Sequence, residues 1–141
     1  VTAAPSNPGL KATWHEFKGN KCSEIEKAPV NGTYPVEDVM IPKKVKGNIG
    51  LIIKGYFNAP QDDIYTFALL SDDGSTLTID SEQIVDNDGP HGPKEIVGQK
   101  ALAKGYHPME LRYFDQNGGQ LKLKVTGSDG KEIPFTHLYA H

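Results

Sequence analysis

The length and charge of the chain limit what it can be. Its 141 residues are enough for one ordinary domain with a single core. Its 15 Lys and Arg residues against 18 Asp and Glu residues give a formal net charge of −3, without the excess of basic residues that neutralises phosphates. The longest apolar stretch, residues 49–53, contains a glycine and is far shorter than the roughly 20 residues of a membrane span. These features predict no nucleic-acid partner and no membrane insertion.

The cysteine content and the first residues bear on stability and domain organisation. Cys22 is the single cysteine, so no disulfide can form within the chain and the fold must rest on its core. Residues 1–8 combine small residues with two prolines, and are predicted to be a linker ahead of one domain over residues 9–141. The chain begins at Val1 without a charged and apolar leader, which indicates a piece of a longer protein or a processed product.

The first half of the chain predicts strands separated by turns. Alternation predicts a first strand over Leu10–Phe17. Residues 18–46 contain three prolines, and predict loops with one short edge strand near Val36–Ile41. Residues 49–58 alternate in polarity and predict a longer strand. Residues 64–70 are apolar on both faces and rich in β-formers, which predicts a central strand buried on both sides.

The second half continues the same pattern of short strands and turns. Strands are predicted over residues 76–79, 83–85, 96–102, 106–114 and 121–125. Only residues 135–139 predict a turn of helix. With 15 glycines and 10 prolines marking the turns, the pattern is typical of an all-β protein. The sequence therefore predicts an antiparallel β-sandwich with little helix.

A series of short motifs follows a fixed order along the chain. The motifs are Gly55-Tyr56-Phe57 with Pro60, Tyr65-Thr66-Phe67, the run from Ser71 to Asp80, Ile84-Val85-Asp86-Asn87, the run from Leu102 to Pro108, and Leu111-Arg112-Tyr113. In this order they resemble one known family, the protective-antigen 14-kDa (PA14) domain, over about residues 9–139. This resemblance implies a jelly-roll-type β-sandwich of the kind appended to secreted bacterial glycoside hydrolases and found in fungal adhesins and some toxins. Fold transfers from such a resemblance more safely than function does.

The function that the resemblance implies is carbohydrate binding without catalysis. On this interpretation, the chain binds a glycan or oligosaccharide and keeps the catalytic domain of a parent glycoside hydrolase, such as a β-hexosaminidase or β-glucosidase, close to its substrate. The domain is expected to be a monomer and to be secreted, periplasmic or on the surface of a bacterial cell. The alternative is a structural or protein-interaction domain that binds no sugar, which should leave a large apolar patch exposed.

The resemblance also implies a calcium site at Asp72 and Asp73. In sugar-binding members of the family, two consecutive aspartates joined by a cis peptide bond hold a calcium ion that sugar hydroxyls also bind. Neighbouring side chains of a regular strand point to opposite faces, so two adjacent carboxylates need an unusual backbone to bind one ion. Ca²⁺ takes six to eight oxygen ligands. The loop before the last strand is expected to supply more of them, with Asp115 and Asn117 as metal ligands and Asp115, Gln116 and Asn117 as sugar contacts.

Two simpler interpretations of the same residues remain open. Asp-Gly and Asn-Gly pairs are strong hairpin-turn signals, so Asp73-Gly74 and Asn117-Gly118 could be ordinary turns with Asp72 solvated. A calcium ion could also serve as a structural link alone. These alternatives differ in whether the two aspartates bind anything at all.

Other residues add weaker indications. His91, in a loop rich in Asp, Gly and Pro, either contacts the sugar or shapes a surface loop. Trp14 is either a sugar-stacking aromatic or part of the core, as a single Trp in a sandwich more often is. The five histidines are scattered without spacing for a transition metal. No Gly-x-Ser-x-Gly or Cys-His motif is present, and adjacent Asp72 and Asp73 are too close to straddle a glycosidic bond, so no catalysis is expected.

Overall fold

The computed structural model describes residues 7–8, 10–37, 39–42, 45, 47–115, 119–133 and 138–140. A 3-10 helix, η1 (Cys22–Lys27), lies among strands β1 (Asn7–Pro8), β2 (Leu10–Glu16), β3 (Val30–Val36), β4 (Ile49–Ala59), β5 (Asp63–Asp72), β6 (Ser75–Ile79), β7 (Glu82–Asn87), β8 (Lys94–Leu102), β9 (Gly105–Asp115), β10 (Gln120–Thr126) and β11 (Leu138–Ala140). No helix among these residues is long and apolar enough to cross a membrane.

The strands form two antiparallel sheets. The large sheet has the order β1-β11-β4-β9-β6-β7, and β2 also pairs with β4 while β3 pairs with β2. The small sheet has the order β10-β5-β8. The two sheets pack face to face, which confirms the predicted β-sandwich. Since β5 and β6 follow one another in different sheets, the segment between them crosses from one layer to the other.

The main core lies between the two sheets and is filled by alternate residues of their strands. From the large sheet, β4 contributes Leu51, Ile53 and Phe57 to it. The Phe57 ring meets Tyr65 and Phe67 of the small sheet edge-on, with ring centroids 5.4 Å and 5.7 Å apart. A second, smaller cluster lies on the outer face of the large sheet, part of which η1 covers. Its buried residues are Cys22 and Ile25 of η1, together with Phe17, Ile52 and Phe114.

The central strand β5 differs from its prediction on one face. Tyr65, Phe67 and Leu69 are buried in the core, as expected. The alternate residues face outwards, and Ile64 is 52% exposed. The prediction of burial on both sides is wrong because, among the described residues, no further layer covers the outer face of the small sheet.

Two other predicted elements are also corrected. The edge strand is Val30–Val36 rather than Val36–Ile41, and Pro35 lies within it. Because β2 is the single partner of β3 among the strands that the structure describes, a proline that lacks an N–H is tolerated there. At the other end of the chain, Leu138–Ala140 form a strand instead of part of a helical turn, since they pair with β1 and β4. The rest of that predicted turn, residues 135–137, lies outside the described residues.

The predicted linker also meets the sheet at its last two residues. Asn7 pairs with Ala140, and Pro8 pairs with Tyr139. Residues 1–6 lie outside the described residues. The sheet therefore contains residues from both ends of the chain.

Truncation of Phe67 tests the core. Phe67→Ala should lower the free energy of unfolding by about 3–5 kcal/mol, because it removes a fully buried ring from the contact between the sheets. Val97→Ala is the matched control, since Val97 is apolar but 54% exposed, and it should change the free energy by less than about 0.5 kcal/mol. Urea denaturation of both variants measures the difference, and equal losses would contradict this account of the core.

The buried thiol of Cys22 should make stability depend on alkaline pH. Burial, reinforced by the hydrogen bond and negative charge of Asp88, raises the pKa of the Cys22 thiol well above its usual range. Below about pH 7.5, one unit under the ordinary thiol pKa of about 8.5, the thiol is protonated in both states and has no effect. Above that pH the unfolded state loses the proton and the folded state keeps it, so stability falls as pH rises.

Cys22→Ala isolates this contribution from those of other groups. Between pH 9 and 11, the free energy of unfolding of the unchanged protein should fall more steeply than that of the variant, by about 1.4 kcal/mol per pH unit at most. Urea denaturation at several pH values gives both slopes. Parallel slopes would show that the thiol ionises equally in both states.

Candidate metal and ligand site

One end of the sandwich brings three carboxylates together from different sheets. Asp72 ends β5 in the small sheet, Asp73 follows it, and Asp115 ends β9 in the large sheet. The peptide bond between Asp72 and Asp73 is cis. One carboxylate oxygen from each of the three residues lies within 4.8 Å of the other two. Asp115 is buried, whereas Asp72 and Asp73 are half-buried and accessible from outside.

Tyr113 connects the two sheets directly below this cluster. Its hydroxyl donates a hydrogen bond of 2.7 Å to the carbonyl oxygen of Asp72. Burial, followed by the negative charges of the cluster with Asp115 first, raises the pKa of the Tyr113 phenol well above its usual range. The phenol therefore remains neutral and keeps the proton that it donates. The sequence predicted a strand over residues 106–114, which includes Tyr113, but gave no sign of this contact.

Gly119 closes the cluster from the side of β10. A Cβ atom at this position would lie 2.0 Å from the Asp72 carbonyl oxygen, 2.6 Å from the Tyr113 hydroxyl and 2.9 Å from the Asp115 carboxyl carbon. Real Cβ contacts are almost never this short, and a backbone oxygen cannot easily move away. Glycine is therefore the residue that this close approach of two chain segments requires.

A buried polar network supports the segment from Ser71 to Ser75. The Ser71 hydroxyl donates to the carbonyl oxygen of Asp73 at 2.8 Å. The Ser75 hydroxyl oxygen lies 2.5 Å from the Ser71 hydroxyl oxygen. The side-chain amide of Asn87 donates to the Lys94 carbonyl oxygen at 2.8 Å, and also contacts the Ser71 hydroxyl and the Leu69 carbonyl oxygen. These bonds tie the Asp72-Asp73 segment to β7 and to the start of β8, so its position is set by the surrounding strands.

The loop after β7 forms a second support and carries His91. The main-chain N–H of His91 donates to the Asp73 carboxylate at 3.1 Å. The two ring nitrogens of His91 lie 2.8 Å and 2.7 Å from the carbonyl oxygens of Asn87 and Gly92. At the base of this loop, one Asp88 carboxylate oxygen accepts hydrogen bonds from the N–H groups of Cys22 and Gly89, at 2.9 Å and 2.8 Å. The loop is thus attached both to η1 and to the cluster.

The predicted site residues have different outcomes. The structure brings Asp72, Asp73 and Asp115 together and places His91 against Asp73 through its backbone. Gln116 and Asn117 lie outside the described residues. Whether any of these residues contacts a sugar or an ion stays a prediction.

Two of the simpler alternatives are decided by the geometry. Asp73-Gly74 is not a hairpin turn, because β5 and β6 lie in different sheets and do not pair with each other. Trp14 packs against the main core, as its more common role suggested. Its indole nitrogen is buried without a hydrogen-bond partner among the described residues.

The chemistry of the cluster suits a hard cation. All three residues offer carboxylate oxygens, and no His or Cys in the described part of the chain joins the group. Oxygen ligands of this kind favour Ca²⁺ or Mg²⁺ over Zn²⁺. A buried carboxylate such as Asp115 beside two others is costly without a compensating positive charge. Asp72, Asp73 and Asp115 are therefore the residues that could hold an ion.

Gly119→Ala tests the close approach at this end of the sandwich. The added methyl group should lower the free energy of unfolding by about 1–3 kcal/mol, because the Asp72 backbone must move away from it. Gly92→Ala is the control, since a Cβ at Gly92 meets nothing within 4 Å. Urea denaturation measures both variants, and an unaffected Gly119→Ala protein would mean that the two segments do not approach as described.

Comparison with solved structures identifies domains of the same fold. A PA14 sugar-binding domain from an RTX adhesin has a TM-score of 0.80 at 16% identity, over 96% of this chain and all of that one. The A domain of epithelial adhesin 6 from Candida glabrata, solved in complex with Galβ1-3GlcNAc, has a TM-score of 0.70 at 13% identity, over 98% of this chain and 88% of that one.

A third structure shows the fold within a larger protein. A β-glucosidase from Kluyveromyces marxianus, solved in complex with glucose, has a TM-score of 0.65 at 17% identity, over 85% of this chain but only 16% of that one. None of the curated protein sequences matches this chain. The PA14 domain family matches over residues 6–135, which is nearly the whole chain. The chain therefore belongs to the PA14 domain family.

Proposed function

We propose that this domain binds carbohydrate without catalysis, at a calcium ion held by Asp72, Asp73 and Asp115. The observation that carries the proposal is the convergence of these three carboxylates, within 4.8 Å of one another, at one end of the sandwich. Three negative charges in so small a space favour a divalent cation. Asp72 and Asp73 are half-buried, so an ion that they bind could still be reached from outside.

The ion would connect the protein to the sugar. Ca²⁺ takes six to eight oxygen ligands, and three aspartates fill only part of that number. Neighbouring hydroxyls of a sugar ring could occupy two of the open positions. Gln116 and Asn117, which directly follow Asp115, remain our proposed further contacts, with Asn117 as a metal ligand. His91 is proposed to line the sugar site, although both its ring nitrogens are already close to backbone oxygens.

Two comparisons support carbohydrate as the ligand class. The adhesin domain with the TM-score of 0.80 is described as sugar-binding, and the Candida glabrata domain was solved with a disaccharide. Catalysis is not proposed, because glycoside hydrolysis needs two carboxyl groups that face each other across the bond. In this domain Asp72 and Asp73 are adjacent in the chain, and one oxygen of each lies within 4.8 Å of an Asp115 oxygen, so the three groups converge on one point.

The proposal extends to the protein that carries the domain and to its location. The likeness to one part of a β-glucosidase supports an accessory position in a glycoside hydrolase, with the catalytic domain as its neighbour. Attached in this way, even a weak sugar site raises the concentration of substrate near the catalytic centre. We infer a secreted, periplasmic or cell-surface location in a bacterium, and a monomeric domain.

Calcium binding is tested by isothermal titration calorimetry on single variants. Asp72→Asn and Asp73→Asn should each weaken Ca²⁺ binding at least tenfold, because each removes a charged ligand. Glu132→Gln is the matched control, since it removes the same charge from an exposed position beyond the far end of β10. An unchanged affinity in both aspartate variants would exclude this ion site.

Sugar binding is tested by a glycan array in millimolar Ca²⁺ and again with a chelator. The proposal requires binding that is lost in chelator and in Asp73→Asn, but is kept in Glu132→Gln. Binding that survives chelation would place the sugar elsewhere on the domain. Absence of binding in both buffers would reject carbohydrate as the ligand class among the glycans tested.

A second candidate function is protein interaction, which the outer face of the small sheet favours. Ile64 and Val97 are 52% and 54% exposed on this face, with Ala68 and Leu70 half-buried between and beside them. These exposed apolar side chains share the face with polar residues such as Lys122 and Lys124, and together they could pack against the catalytic domain of a parent protein. This function does not need the carboxylate cluster, and would be preferred if the array showed no binding.

A further inference from the structure

A groove on the outer face of the large sheet lies apart from the carboxylate cluster. Pairing of β2, β4, β9 and β6 aligns four residues in one row across the sheet, namely Lys11, Lys54, Glu110 and Thr78. The groove along this row has a volume of about 500 Å³. This volume falls within the range of sites that bind small ligands. We call it the cross-strand groove, and its lining includes Lys11, Lys54, Tyr56, Thr78, Pro108 and Glu110.

The cross-strand groove holds more positive than negative charge. Lys11 lies directly opposite Lys54 on the neighbouring strand, an arrangement that is unfavourable for two like charges without a shared partner. Glu110 is 3.5 Å from the Lys54 ammonium group, but its other oxygen is 3.1 Å from the Arg112 guanidinium. Lys11 forms no ion pair within the described part of the chain. Although the protein has a net negative charge, the Lys11 ammonium group therefore lies without an ion-pair partner in a groove large enough for a small ligand.

The rest of the lining is suited to a sugar ring. Thr78 and Ser81 provide hydroxyl groups, and Glu110 provides carboxylate oxygens that can accept hydrogen bonds from hydroxyls. Tyr56 and Pro108 are paired across β4 and β9, and their rings offer apolar surface beside these polar groups. A saccharide presents the same combination of hydroxyls and apolar C–H faces. A carboxylate on the saccharide would supply a negative partner for Lys11, and would offset the repulsion between Lys11 and Lys54.

We propose that the cross-strand groove binds an acidic saccharide, with the carboxylate of a uronic acid between the ammonium groups of Lys11 and Lys54. Hydroxyls of the same molecule then bond to Thr78 and Glu110, while its ring lies against Tyr56 and Pro108. This site needs no metal ion and does not depend on Asp72, Asp73 or Asp115. The domain therefore has two separate binding surfaces of different chemistry.

The test uses trigalacturonic acid as the probe, in buffer that contains a chelator, with two-dimensional NMR and calorimetry. The acid should bind and shift the backbone amide signals of residues 54–56, 109 and 110, which line the groove. Lys11→Gln should weaken binding about tenfold, and moderate salt should weaken it further because the attraction is between charges. Lys122→Gln, an exposed lysine on the small sheet, is the matched control and should leave the affinity unchanged. Asp73→Asn should leave it unchanged as well.

Several results would overturn the proposal. These are no binding of the acid, equal loss in the Lys11→Gln and Lys122→Gln variants, or equal affinity for a neutral galactose trisaccharide. Tighter binding of a glutamate-rich peptide at the same amides would show that the groove accepts an acidic peptide instead. Loss of binding in Asp73→Asn would place the acid at the carboxylate cluster. All these outcomes can be interpreted even if Ca²⁺ does not bind at Asp72 and Asp73, because the test is made in the presence of a chelator.

Discussion

The hydrogen bond from the Tyr113 hydroxyl to the Asp72 carbonyl oxygen joins the two layers of the sandwich at the end where the carboxylates meet. Tyr113 and Asp115 are two residues apart on β9, so they share the face directed at the small sheet. The Tyr113 phenol therefore bonds to the backbone of Asp72, while a carboxylate oxygen of Asp115 lies within 4.8 Å of one from the Asp72 side chain. Gly119 allows β10 to begin close enough to complete this arrangement. The geometry of the cluster follows from the contact between the sheets.

Local sequence patterns predicted much of the fold. The errors arose where pairing with residues distant in the sequence decides whether a segment forms a strand or is buried. The alternation of residues 49–58 predicted the strand β4 correctly, since period 2 is a local property. Apolar residues on both faces of β5 do not reveal whether another layer covers the outer face. Among the described residues, no such layer is present. β3 carries Pro35 and little alternation, and it is a strand because β2 pairs with it. β11 is three residues long and depends on β1 and β4.

The site was predictable only in its most local part. Asp72 and Asp73 are adjacent in the chain and fit a family motif, so the sequence identified them. The support from Tyr113, Gly119 and Asn87 depends on contacts between sheets, for which the chain has no local pattern. The same limit applies to Lys11 and Lys54, which are far apart in sequence and meet only through the register of β2 on β4. Residues that are adjacent in the chain are thus easier to recognise than residues that meet only through pairing or packing of distant strands.

The pairing of β1 with β11 has a consequence for the architecture of larger proteins. Asn7 lies opposite Ala140, so the two ends of the domain are about 5 Å apart, the distance between paired strands. A domain that enters and leaves at one point can be inserted into a surface loop of a host protein without forcing the host's own strands or helices apart. Its two proposed binding sites would then project from the host on two paired segments of chain rather than on one flexible connection.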